Sequence, residues 1–161
     1  MRRSRLTSFA AGAFLAFLGA TEAFGRCANG SKAEEMARDL SAMRGFAAAA
    51  ETTGGTGKPV FVVSDPGDAL PKPPNGSLRE AMVEARLAGG GIILFQPPNG
   101  GPMTIELADQ LKLPSNITID GACTDVTITG REDISLFRIE GRQNIAIRRL
   151  SFRKNGVCDT G

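Results

Sequence analysis

Three sets of residues in this sequence have the types and spacing to do chemistry: three cysteines, two close carboxylates, and arginines gathered late in the chain. Cys27, Cys123 and Cys158 are odd in number and never spaced C-x-x-C, so metal or thiol-redox roles are disfavoured. Either one thiol stays free or a partner lies beyond Gly161, and the second is expected because the chain also stops in mid-pattern; the pairing stays open. Asp65 and Asp68 would suit a metal loop, yet Pro66 and Gly67 between them favour an ordinary turn. Arg138, Arg142, Arg148, Arg149, Arg153 and Lys154 are types that bind carboxylates, though outward-facing strand and turn residues are the simpler reading. Histidine is absent, which removes Ser-His and Cys-His nucleophile pairs, histidine bases and His-ligated zinc.

Charge narrows the partners. The formal net charge of +2 comes from Arg2, Arg3 and Arg5 at the start, and removing the first 23 residues leaves 16 charges of each sign. A balanced chain has no long-range field to collect nucleic acid or anionic membranes. Those three arginines, the apolar run Leu6 to Ala20 and the small-x-small site Thr21-Glu22-Ala23 have the form of a secretory signal, with Ala23-Phe24-Gly25 as a second cleavage site. Residues 1–23 are therefore expected to be removed on secretion or export to a periplasm, with no membrane attachment afterwards. Ser4-Arg5-Leu6 fits twin-arginine export poorly, so general secretion is expected.

The elements that must position any site follow along the mature chain. Residues 24–58 form an N-terminal segment and lead-in: a short amphipathic helix is expected from the capping box at Ser31 to Arg44, then a flexible or turning stretch from Ala47 to Lys58. Val60-Phe61-Val62-Val63 reads as a buried strand, and Asp, Pro and Gly residues break it into a loop up to Gly76. Ser77-Leu78-Arg79-Glu80 is a second capping box. Leu78, Ala81, Met82 and Ala85 mark one face of a helix that Gly89-Gly90-Gly91 ends. Only short strands follow, at 92–95, 103–107, 117–119, 126–128, 137–139, 145–147 and 150–152.

These strands repeat. Asn116-Ile117-Thr118-Ile119 and Asn144-Ile145-Ala146-Ile147 match in pattern, with other short strands between them, as expected of coils stacked in a solenoid. The inward set Ile145 and Ile147 becomes Leu150 and Phe152, so the alternation slips at Arg148-Arg149. Side chains alternate with period two along a strand, so a slip requires a bend. A corner joining two sheets of one coil is the expectation.

From about Gly45 to Gly156 the sequence resembles the pectate lyase-like polysaccharide lyase family. The likeness rests on Gly45-Phe46 with Thr52-Thr53-Gly54-Gly55-Thr56-Gly57, on Gly76-Ser77-Leu78-Arg79-Glu80-Ala81, and on Ser115-Asn116-Ile117-Thr118-Ile119-Asp120-Gly121 with Asn144 to Arg153. Ala47, Lys58-Pro59 and Arg149 depart from the family's pattern; Asn is usual at the last, a corner where it tolerates left-handed backbone better than Arg. The resemblance implies an all-β fold, a right-handed parallel β-helix, incomplete here and capped at its N-terminal end by an α-helix. Residues 59–161 would hold its first coils.

The resemblance also implies a function: calcium-assisted β-elimination of polygalacturonate, with calcium held by carboxylates and an Arg as base. In the family those groups sit on later coils, so no catalytic, cofactor-binding or metal-binding residue is assigned within this chain, and the chain alone is expected to be inactive and poorly stable. Asp159 falls near the first acidic ligands, where a solvated loop residue is the simpler reading. A polyuronate (pectin or pectate) partner and a monomeric protein are expected. The competing readings are a non-catalytic secreted β-helix for glycan binding or surface adhesion, and a β-helix glycoside hydrolase using a carboxylate pair.

Overall fold

The computed structural model describes residues 51–153. The expected signal segment, the helix expected from Ser31 to Arg44, Gly45-Phe46, Lys154, Cys158 and Asp159 lie outside them. The described residues form strand β1 (Val60–Val63), helix α1 (Leu78–Leu87), and strands β2 (Gly91–Phe95), β3 (Met103–Leu107), β4 (Leu111–Lys112), β5 (Ile117–Asp120), β6 (Val126–Gly130), β7 (Phe137–Arg138), β8 (Ile145–Arg148) and β9 (Leu150–Phe152). Every named strand pairing is parallel. Three sheets result, in the orders β1-β2-β5-β8, β3-β6-β9 and β4-β7.

The turns β2-β3-β4 and β5-β6-β7 each contribute one strand to each sheet, which is the pattern of a parallel β-helix. The 28-residue repeat read from the sequence is a true register: Ile117 pairs with Ile145 and Ile119 with Ile147, and the two preceding asparagines are 28 residues apart. Like side chains therefore stack coil on coil, as in the ladder Ile93, Ile119 and Ile147. Ile93 and Ile119 are fully buried, and removing such a side chain from water stabilises by roughly 1.5–3 kcal/mol.

The chain reaches α1 through the turn read from the sequence. Ser77 caps the helix by accepting from the Glu80 amide, 3.3 Å, and Glu80 reaches back to the amide of Gly76, 2.5 Å, one residue earlier than in a simple capping box. Leu78, Ala81, Met82 and Ala85 are buried in the same core cluster as Val63, Ile93 and Ile117. The helix thus caps the coil stack where core side chains would otherwise meet water.

Two features differ from expectation. β4 was not foreseen, because two residues are too few for a periodic signal, although Leu111 and Lys112 pair with Phe137 and Arg138. The lead-in is also more than a flexible stretch. Thr53 and Gly54 donate their amides to Asn144 Oδ1 at 2.7 and 2.8 Å, and Gly55 donates to Thr118 Oγ1 at 2.9 Å. This strap lies on the outer face of the β5 and β8 strands, where Thr118 is fully buried. A Cβ at Gly55 would stand 1.9 Å from the Gly91 carbonyl oxygen, so only glycine permits this approach.

Candidate functional site

The residues singled out for chemistry divide into those that hold the coils together and those that remain on the surface. Asp65 Oδ1 accepts from the amide of Gly67, 2.6 Å, the ordinary turn that Pro66 and Gly67 favour. Asp68 takes a different role. Its side chain is 1% exposed and receives a two-pronged bond from Arg79, Nε to Oδ1 at 2.5 Å and Nη2 to Oδ2 at 2.6 Å. The amide of Ala108 adds a third bond at 2.8 Å. Arg79 Nη2 also reaches the Asp109 carbonyl at 2.6 Å, tying the helix start to the end of β3. Hydrogen bonding to Asp68 raises the Arg79 pKa against the opposing effect of burial, so the guanidinium stays charged.

A second carboxylate-guanidinium fork forms the corner after β5. Arg149 donates from Nε to Asp120 Oδ1 at 2.7 Å and from Nη2 to Oδ2 at 2.5 Å. Asp120 is fully buried and also accepts from the Ala122 amide, 2.9 Å, so it is both a turn residue and a cross-coil anchor. Arg149 has φ +54° and is the only residue between β8 and β9, which is the corner that the slip in alternation requires. The fork to Asp120 offsets the left-handed backbone that Arg tolerates less well than Asn. Beside it lies an open hollow of about 590 Å³ lined by Gly101, Gly121, Cys123, Asp125 and Arg149 among others; Cys123 is disulfide-bonded.

Asn144 and Asn116 both have positive φ, 59° and 57°, and stack with Asn144 Nδ2 donating to Asn116 Oδ1 at 3.0 Å. Asn144 Nδ2 also reaches the Gly54 carbonyl at 3.0 Å, so this one side chain links two coils and the strap.

What remains at the surface is narrower than the sequence suggested. Arg148 and Arg149 turn toward Asp120, while Arg153 is exposed. Arg138 is ion-paired with Glu140, and it lines a hollow of about 210 Å³ together with Lys112, Leu113 and Arg142. Lys112 was not singled out from sequence because its strand was not recognised. Its register with Arg138 exists only in the fold, so no sequence signal could have found it.

No family model matches the chain. A protein from Arabidopsis thaliana described as "Probable pectate lyase 6" is 36% identical over 87 residues, covering 53% of this chain and 18% of that protein. Among solved structures, Jun a 1, the major allergen from cedar pollen, superposes with a TM-score of 0.55 at 21% identity, covering 74% of this chain and 31% of the allergen. The chain resembles pectate lyases in part of its sequence and in its fold. It spans about a fifth of that curated relative and about a third of that solved structure.

The described carboxylates do not fit a calcium ion, the cofactor that the resemblance implies. Asp68 and Asp120 each give both oxygens to an arginine, whereas calcium takes six to eight oxygen ligands. Among the described residues no group of three or more His, Cys, Asp or Glu could hold a metal ion. Nor is any helix there long and apolar enough to cross a membrane.

Proposed function

We propose that these coils form the N-terminal part of an exported polysaccharide lyase that cleaves polygalacturonate by β-elimination. The observation that carries the reading is the likeness to a pectate lyase over 87 residues, on a chain folded into register-stacked parallel coils. The reaction removes the proton on the carbon next to the uronate carboxylate and expels the O4-linked sugar, leaving a C4–C5 double bond. That proton is poorly acidic, so the site must stabilise negative charge developing on the carboxylate. Calcium is the cofactor expected of the whole protein, and no step is assigned to it on the described residues. They supply the platform: a capped end, a coil stack in register, and basic groups on one flank.

A non-catalytic glycan-binding β-helix is the second reading, favoured by the engagement of both buried carboxylates, Asp68 and Asp120, in structural forks. One assay separates the two. Polygalacturonate is incubated with the product of the complete coding region, and the double bond is followed by ultraviolet absorbance with and without a chelator. Unsaturated product that chelation abolishes supports the lyase. Saturated products, or none, overturn it.

A further inference from the structure

Two hollows on one flank of the coil stack meet at Lys112. The first, about 260 Å³, lies between α1 and β4 and is lined by Arg86, Asp109 and Lys112 among others. The second, about 210 Å³, is lined by Lys112, Arg138, Glu140 and Arg142. Both therefore belong to one track crossing the strands, from the helical cap along the direction in which the coils stack. Lys112 and Arg138 are register partners in the parallel β4-β7 pair. With Leu111 and Phe137 inside and Lys112 and Arg138 exposed, the two cations leave the same face about 4.8 Å apart.

The track carries Arg86, Lys112, Arg138 and Arg142 against Asp109 and Glu140. Asp109 Oδ1 already accepts from the Gln110 amide, 2.7 Å, and Glu140 is ion-paired with Arg138. Such a row suits a linear polymer with one carboxylate on each sugar, because each guanidinium or ammonium can meet a successive carboxylate.

We propose that this track is a polyuronate-binding subsite, with Lys112, Arg138 and Arg142 touching uronate carboxylates and Glu140 opposing them. It rests on the polyuronate reading above. In the absence of polymer Glu140 holds Arg138, and an incoming carboxylate replaces it.

The test is equilibrium binding of an unesterified oligogalacturonate, and of its fully methyl-esterified form, to the whole chain. Lys112→Ala and Arg142→Ala are each expected to weaken binding of the acidic oligomer about 2- to 5-fold, the range of one exposed ion pair. Glu140→Gln is expected to strengthen it about 2-fold, a gain that a folding defect would not produce. The esterified oligomer should bind less tightly than the acidic one and be indifferent to all three changes. Equal binding of both oligomers, or no response to the variants, overturns the subsite. Cleavage by the whole protein with variant-indifferent binding overturns the subsite and leaves the lyase reading in place. Variant-sensitive binding without cleavage upholds the subsite and counts against the lyase.

Discussion

Arg149 and Asp120 stand 29 residues apart in sequence and meet as a two-pronged ion pair, so the corner of one coil is bolted to the strand end of the coil before it. The pair is half open to water on the arginine side and fully buried on the aspartate side, 43% against 0% exposed. Arg149→Asn keeps a residue suited to positive φ but leaves Asp120 short of a partner, and should lower stability by about 1–2 kcal/mol. Adding Asp120→Asn should cost less than the single changes summed, by about 1 kcal/mol in a urea double-mutant cycle. Strict additivity would mean that the fork contributes no coupling.

At the other fork, Arg79→Met should destabilise by roughly 3 kcal/mol, because it strands a carboxylate that is 1% exposed. Arg79→Lys should recover little, since an ammonium cannot reproduce the planar fork. A thermal melt of the three proteins checks the order. The Arg79 pKa is raised, so its contribution is fully present below the ordinary arginine pKa and is lost only in strong alkali, as pH rises through the folded value. Melts between pH 6 and 9 should therefore show the same Arg79→Met deficit.

Asn144→Gly retains the backbone freedom of a positive φ while removing the side chain that joins the strap to two coils. It should destabilise by about 2–3 kcal/mol. The amides of Thr53 and Gly54 should exchange hydrogen much faster in native-state measurements, with the Ile119 amide little changed. Unaltered exchange at Thr53 would show that something other than Asn144 holds the strap.

Two glycines of the strap should respond unequally to alanine. Gly55→Ala drives a Cβ to 1.9 Å from the Gly91 carbonyl oxygen and should cost well over 2 kcal/mol, while Gly57→Ala meets nothing within 4 Å and should cost about 1 kcal/mol for its φ of +74°. Chemical denaturation midpoints give the comparison directly.

Much of this architecture was legible because it is local or repetitive. The Ser77 cap, the buried face of α1 and the Ile117 and Ile145 register each follow from residue spacing within one element or one repeat. The slip at Arg148-Arg149 revealed the corner for the same reason. Asn144 was read only as part of a repeated motif, since its contacts with Thr53 and Gly54 cross about 90 residues of sequence. Arg79 likewise looked like one letter of a helix start until Asp68 was placed beside it. The basic track needed β4, and a two-residue strand leaves no pattern to read; its register exists only through its pairing with β7.

The strap has a consequence for the order in which the molecule assembles. Coils that touch only their neighbours can form in sequence, each templated by the one before. Thr53 and Gly54 break that rule: their partner, Asn144, arrives 91 and 90 residues later, so closure must wait until β8 has docked on β5. During synthesis the outer face around Thr118 is left without its full cover through that interval, and the long sequence separation makes this contact slow to form. Closure of the strap onto Asn144 is thus a late event in folding, and it links the start of the described chain to the fourth and last strand of the β1-β2-β5-β8 sheet.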